Sequence, residues 1–205
     1  MGFVVLKRLL AAACLSLCFA VPSVHAANHG WYWGIEAGYD HPSDFTYEDT
    51  WVHATYTDPM NDSCAVLATL GGYLGPQLRV EAELGWRLDD FTYWRGDWSQ
   101  FSLLGNVLYD MPMGSDLTAS VGGGIGLDLI PTAGEAHFGF AYQLIAGLAW
   151  SLTPQTAITL EYRYMTASGP SLDTALSDYN DLKHQTLSLG LRGAVDLGAH
   201  ALRDR

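Results

Sequence analysis

Basic residues are scarce in this chain. Its 205 residues include 10 Lys and Arg against 22 Asp and Glu, which gives a formal net charge of −12. Lys7 and Arg8 lie in an N-terminal segment that we expect to be removed, so the remaining chain carries a formal charge of −14. Because binding to a phosphate backbone depends on a basic surface, we expect no nucleic-acid partner.

Long apolar runs are also lacking. The run at 9–21 follows Lys7 and Arg8 and precedes the small-residue site Val24-His25-Ala26. A helix needs roughly 17–25 apolar residues to cross a membrane, so the pattern predicts a signal peptide over residues 1–26 rather than a spanning helix. No later run is long enough for such a helix, so any part of the chain that enters a membrane must do so as strands.

The chain has three cysteines, and Cys14 and Cys18 lie within the predicted signal peptide. A lipoprotein signal acylated at one of them is the alternative. However, Cys14 leaves too short an apolar run before it, and Cys18 follows the bulky Leu17. The mature chain then keeps Cys64 alone, which excludes a disulfide framework. No basic residue or histidine lies beside Cys64 to activate its thiol, so we interpret it as a small residue at a strand end.

The chain does contain eight segments in which apolar and other residues alternate. They are 31–40, 65–75, 78–88, 100–111, 117–129, 140–152, 155–166 and 184–195. Because side chains alternate between the two faces of a strand, each segment predicts a strand with one apolar face. The connectors alternate in length, with short ones at 76–77, 112–116 and 153–154 and long ones at 41–64, 89–99, 130–139 and 167–183.

This asymmetry of connectors is typical of an outer-membrane barrel, with tight turns at one rim and larger loops at the other. We therefore predict an all-β fold, an eight-stranded antiparallel up-and-down transmembrane β-barrel over residues 27–195, followed by a short C-terminal tail at 196–205. An even number of strands places both termini on one side, which we expect to be periplasmic. The protein is then integral to a bacterial outer membrane.

Alternation alone does not decide which face is outside. A soluble lipocalin-like barrel would turn its apolar face inward. Three features favour the membrane barrel: a polar face rich in Gly, Ser and Thr with few charges, aromatic residues near strand ends, and segments long enough for a tilted crossing. The parity of 65–75 is ambiguous.

Charged residues fall on the predicted inward face. We expect an interior charge network of Glu36, Arg79, Glu81, Glu83, Arg87, Glu161, Arg163 and Arg192, with Asp40, Asp110 and Asp128 on the same face. An eight-stranded barrel is just wide enough for side chains to fill it. The sequence therefore predicts a side-chain-filled interior in which arginines neutralise carboxylates. The alternative is a narrow channel.

The long connectors combine aromatic residues with carboxylates. They contain twelve Asp and Glu against Arg95 and Lys183, so we expect a strongly anionic outer rim. The candidate recognition residues for a host or envelope protein are Phe45, Tyr47, Trp51, Tyr56, Trp94 and Trp98. The alternative is that these aromatic residues pack as a lid over the barrel mouth.

One cluster could serve catalysis. His41-Pro42-Ser43, with Asp40 or Asp44 nearby, is the only local group of histidine, serine and acid. A lipid A-modifying hydrolase embedded in the membrane would need these residue types at its lipid-facing rim. The same residues are ordinary turn formers. We therefore predict no catalytic centre and keep the hydrolase as the alternative.

The histidines show no metal-ligand spacing. His53, His137 and His184 lie in or beside different long connectors, and we expect them to be solvated. No connector shows the twelve-residue calcium-loop pattern. We predict no metal site and no cofactor.

Three stretches resemble a known family, the small outer-membrane barrels of the opacity-protein and OmpA-like type. They are the hairpin 71–86 (GGYLGPQLRVEAELGW), the opening 30–34 (GWYWG) and the closing 184–192 (HQTLSLGLR). The resemblance implies an eight-stranded barrel without a catalytic centre common to the family. It also implies contact with outer-membrane lipid and lipopolysaccharide, and insertion by the barrel-assembly machinery. Such barrels usually end in an aromatic residue, whereas this chain continues past Val195 to Arg205.

Overall fold

The computed structural model describes residues 30–49, 54–91, 97–132, 135–168, 176–179 and 181–195. Eleven strands lie in these ranges: β1 Trp31–Pro42, β2 Phe45–Asp49, β3 Ala54–Asp58, β4 Met60–Tyr73, β5 Leu78–Phe91, β6 Asp97–Pro112, β7 Leu117–Thr132, β8 Glu135–Thr153, β9 Thr156–Ala167, β10 Leu176–Tyr179 and β11 Leu182–Val195. Within the described residues, no helix has the length and hydropathy that a membrane-crossing helix needs.

Eight of the strands close into a barrel in the order β1-β11-β9-β8-β7-β6-β5-β4. The first and last strands complete the closure, with Trp31 opposite Val195 and His41 opposite Gln185. On its other edge β1 pairs antiparallel with β4. The predicted eight-stranded antiparallel barrel is confirmed.

The two ends of the barrel differ. The short turns after β4, β6 and β8 lie at the end that also holds Trp31 and Val195, and we call it the turn end. Gly114 in one of these turns has a φ of 151°, a backbone conformation that favours glycine. The opposite end, where β1 finishes and β4 begins, is the loop end.

The apolar face of the strands points outward. Large apolar side chains on this face are 48–65% exposed along the middle of the barrel: Ile35, Leu84, Leu103, Ile125, Leu144 and Leu189. The parity of β4 is resolved as well, because Leu67 and Thr69 are buried inside. This orientation suits a barrel surrounded by lipid and contradicts the soluble-barrel alternative.

The inward face is filled. It carries buried polar and charged side chains together with the apolar side chains of Leu67, Leu104, Leu108 and Met165. Gly124 on β7 leaves the space that the Asn106 side chain occupies, because a Cβ there would overlap it. The predicted side-chain-filled interior is confirmed.

A second sheet, with strand order β10-β2-β3, lies in two segments that we predicted as loops, and we call it the loop-end sheet. The barrel strands also extend further toward this end than predicted, since β4 begins at Met60 and β8 at Glu135. Beyond the lipid a strand has no apolar face to present. Its sequence therefore lacks the alternation on which the prediction depended.

Candidate functional site

The middle of the barrel interior is organised around Arg163, which is fully buried on β9. Its guanidinium donates from Nη1 to Glu36 Oε2 at 2.7 Å, from Nη2 to Glu161 Oε2 at 2.8 Å and from Nε to Glu83 Oε2 at 3.2 Å. Glu83 also accepts from Asn106 Nδ2 at 2.9 Å. One arginine therefore neutralises carboxylates from three different strands, which ties the barrel wall together across its lumen.

A second layer lies nearer the turn end. Arg79 donates from Nε to Asp110 Oδ1 at 2.9 Å and is paired with Glu81, which also accepts from the Tyr32 hydroxyl at 2.7 Å. Arg192 donates to Glu161 Oε1 at 3.3 Å, and its guanidinium carbon lies 5.2 Å from the centre of the Tyr32 ring. These side chains close the lumen from wall to wall.

A third layer lies at the loop end. Asp40 accepts from His184 Nδ1 at 2.7 Å and from the Thr186 hydroxyl, and Arg87 Nε lies 3.8 Å from Asp40 Oδ1. Arg87 donates from Nη1 to Ser102 Oγ at 3.0 Å. Asp40, Arg87 and His184 are all fully buried. His184 is therefore part of the interior packing, and our expectation of a solvated histidine was wrong.

All eight residues of the predicted charge network lie inside the barrel and take part in these layers, which join Glu36, Arg79, Glu81, Glu83, Arg87, Glu161, Arg163 and Arg192. A cavity of about 570 Å³ opens at the turn end and is lined by Tyr32, Tyr73, Asp110 and Arg192. Since Arg192 and Asp110 of the second layer lie in its wall, the cavity is a vestibule on the turn side of that layer.

The loop-end sheet brings predicted recognition positions together. Tyr47 on β2 lies opposite Tyr56 on β3 and opposite Tyr179 on β10 in the backbone register. Opposed positions of neighbouring strands form one row across a sheet. Tyr179 was missed by the sequence reasoning, which treated 167–183 as a connector. The backbone of Phe45 is on β2 and that of Trp98 on β6, whereas Trp51 and Trp94 lie outside the described residues.

The outward face of the loop end carries a separate polar cluster, which we call the rim cluster: Tyr39, His41, Ser43, Asp62, Lys183 and Gln185. His41 Nδ1 lies 2.6 Å from Asp62 Oδ1, and both side chains are more than half exposed. Tyr39 also hydrogen-bonds Asp62. The acid beside His41 is thus Asp62 of β4. Asp40, one choice of acid for the catalytic alternative, lies on the inward face predicted for it and does not contact His41. Asp44, our other choice, is exposed near the end of β1.

Among the described residues, no three His, Cys, Asp or Glu side chains are placed to hold a metal ion together. Cys64 is a free, exposed thiol on β4.

Comparison with protein families finds one matching model, described as "Outer membrane protein beta-barrel domain", over residues 10–193. The comparison with curated proteins found no match.

Solved structures share the fold. The chain is similar to Neisserial surface protein A, with a TM-score of 0.61 and 15% identity over 81% of this chain and 97% of that one. It is similar to outer membrane protein AlkL in lipid bilayers, with a TM-score of 0.56 and 16% identity over 87% and 97%. For OprG from Pseudomonas aeruginosa the TM-score is 0.51, with 15% identity over 84% and 99%. At such identities the likeness shows the fold alone.

Proposed function

Since the chain belongs to the outer membrane protein beta-barrel domain family, as the resemblance of three of its stretches predicted, we propose that it is a surface-interaction protein. It binds a cationic host or envelope protein through its loop-end sheet. The chain is an integral barrel of the outer membrane. The observation that carries the proposal is the pairing of connectors 41–64 and 167–183 into a sheet on top of a filled barrel.

The filled lumen argues against transport as the main role. Arg79, Arg87 and Arg163 are each fully buried at different heights, and each is paired with carboxylates. Opening a path would require breaking buried ion pairs, and removing one partner of such a pair typically costs about 3–5 kcal/mol. We expect no steady ionic conductance when the purified protein is inserted into planar bilayers. A reproducible single-channel conductance would contradict this and favour the channel alternative.

The loop-end sheet offers a surface of suitable chemistry. The segment 41–64 contains five Asp and Glu and no Lys or Arg. The row formed by Tyr47, Tyr56 and Tyr179 places aromatic positions across the same sheet. Tyrosine is enriched at binding hot spots, and complementary charge steers a partner toward its site. An acidic and aromatic surface therefore suits a basic protein.

Binding can be tested with the protein in lipid nanodiscs and a lysine-rich peptide as the probe. We expect binding that weakens with salt and falls several-fold in a Glu48→Gln/Asp49→Asn/Asp58→Asn variant. Asp116→Asn, at the turn end, is the matched control and should bind like the wild type. Equal binding by all three proteins would overturn the proposal.

The proposal also covers how the chain is processed and oriented in the cell envelope. We propose that residues 1–26 are removed as a signal peptide, that the barrel-assembly machinery inserts 27–195, and that both termini and the tail 196–205 face the periplasm. The outward apolar face then contacts outer-membrane lipid and lipopolysaccharide.

Orientation can be tested by thiol labelling of intact cells in a Cys64→Ser background. A membrane-impermeant maleimide should label Thr55→Cys on β3 and spare Ser115→Cys in a turn. The reverse pattern would show that the loop end faces the periplasm.

A further inference from the structure

The geometry points to a second activity at the rim cluster. We propose that Ser43, His41 and Asp62 form an acyl-ester hydrolase site on the outside of the barrel, which acts on a fatty-acyl ester of a membrane lipid. Ser43 is the nucleophile, His41 is the general base and Asp62 positions His41. This activity is independent of binding by the loop-end sheet.

The histidine and its acid have the arrangement that such a base needs. A carboxylate can only accept, so the 2.6 Å contact means that His41 Nδ1 carries the proton and donates it to Asp62 Oδ1. In the neutral imidazole, Nε2 is then the nitrogen that can accept a proton from a nucleophile. Asp62 is itself held by a hydrogen bond from Tyr39, so both ring orientation and tautomer are set by neighbouring strands.

The serine lies two residues after the histidine, at the end of β1. Its backbone N–H donates to the Lys183 carbonyl at 2.7 Å, and its Oγ accepts from the Lys183 N–H at 3.1 Å. These two contacts hold the hydroxyl at the junction with β11 and leave its proton free to be transferred. The described contacts include no Ser43–His41 hydrogen bond, and catalytic hydrogen bonds are often long until substrate binds.

Neighbouring groups can stabilise the charge that develops. Gln185 lies directly opposite His41 in the barrel register. Its side-chain oxygen accepts from the Tyr162 hydroxyl at 3.0 Å, which leaves the amide N–H groups as donors for an oxyanion. The exposed Lys183 lies beside Ser43, where its ammonium can contact a lipid phosphate.

The position of the rim cluster on the barrel indicates which class of substrate it can reach. The rim cluster continues the lipid-facing side of β1 and β11 beyond Tyr39 and Leu187, which are about half exposed on the barrel exterior. A group just beyond these lipid-facing residues meets the lipid head groups, next to which the acyl esters lie. Phospholipid and lipopolysaccharide share this chemistry.

In the reaction, Ser43 Oγ attacks the ester carbonyl carbon while His41 Nε2 takes the hydroxyl proton. The bond between that carbon and the lipid oxygen breaks, and His41 returns the proton to the departing oxygen. Water then attacks the acyl-serine with His41 again as base. The fatty acid leaves, and the proton returns to Ser43 Oγ.

The test uses full-length protein purified from the outer membrane in mixed micelles with diacyl phosphatidylethanolamine or with lipopolysaccharide. Released fatty acid is measured by mass spectrometry, and gel mobility before and after boiling verifies that each variant is folded. We expect release by the wild type, none by Ser43→Ala or His41→Phe, and wild-type rates for Ser115→Ala. Ser115 is the matched control because its hydroxyl also contacts an acid, Asp116, at 2.9 Å.

Asp62 needs a readout that distinguishes positioning from structure. Asp62→Asn should lower kcat by about 10⁴-fold with little change in KM, because the imidazole loses the acceptor that sets its orientation and tautomer. Asp62→Glu should restore part of the rate.

Release from one lipid alone supports the proposal and identifies the substrate. Absence of release from both lipids by the folded wild type, or equal release by Ser43→Ala, would overturn it. A kcat unchanged in Asp62→Asn, or a loss that appears only in KM, would also overturn the assigned site.

Discussion

Two histidine–aspartate pairs lie at the loop end of the barrel, on opposite faces of β1. The inner pair joins His184 to Asp40 at 2.7 Å, and the outer pair joins His41 to Asp62 at 2.6 Å. Asp40 and His41 are adjacent in sequence, yet the inner pair is fully buried and the outer pair is more than half exposed. The His184–Asp40 contact therefore packs the barrel interior, whereas the His41–Asp62 contact is accessible from outside and available for chemistry.

The surroundings of the two pairs explain this difference. Thr186 donates a hydrogen bond to the Asp40 carboxylate and Arg87 lies beside it, so the negative charge of Asp40 is balanced within the barrel. Among the described contacts, Asp62 has only Tyr39 and His41 as side-chain partners, and none involves His41 Nε2. A buried charge requires partners, whereas an exposed one does not.

The largest expected effect on stability comes from a pair of variants that lack either Asp40 or Asp62. Asp40→Ala leaves His184 and Arg87 buried without their acid, and we expect a loss of about 3–5 kcal/mol in the free energy of unfolding. Asp62→Ala breaks an exposed pair that solvent screens, so we expect a much smaller loss. Urea unfolding in detergent micelles, followed by tryptophan fluorescence, measures both. Equal losses would show that the two pairs do not differ as the structure indicates.

A charge placed on the lipid-facing side tests the difference between the faces themselves. Leu189→Lys, at the middle of β11, should destabilise the barrel by about 2–4 kcal/mol because it puts an ammonium near the membrane midplane. Leu74→Lys, in a turn and 68% exposed, is the matched control, and we expect a change below about 1 kcal/mol. The measurement is unfolding in lipid vesicles. A Leu189 variant as stable as the Leu74 variant would place Leu189 away from lipid.

The smallest perturbation is chemical modification of the folded protein. Diethylpyrocarbonate should modify His41 rapidly and leave His184 unmodified until the barrel is unfolded, since the His41 side chain is exposed and that of His184 is buried. Peptide mass spectrometry assigns each site. Modification of His184 in the folded state would mean that the loop-end layer opens to water.

Much of the barrel could be predicted because strand alternation is a local signal. Arg79, Glu81 and Glu83 alternate with Val80 and Ala82, so the inward position of the charges follows from adjacent residues alone. The turns were also predictable, since Gly and Pro mark them.

The contacts between distant residues could not be predicted in the same way. His41 meets Asp62 across 21 positions, and His184 meets Asp40 across 144. The strands β2, β3 and β10 are only four or five residues long, so any alternation in them is too short to predict a strand.

The sequence by itself determined that this protein is an eight-stranded barrel, which side chains face the lumen on every barrel strand except β4, and that its long connectors are acidic. The first two properties depend on the two-residue period of a strand and the third depends on composition. Both features can be read from a short stretch of sequence. Only the tertiary structure decided that Arg163 joins Glu36, Glu83 and Glu161, and that Asp62 reaches His41. Such contacts depend on the stagger between neighbouring strands, and that stagger is set by closure of the whole barrel.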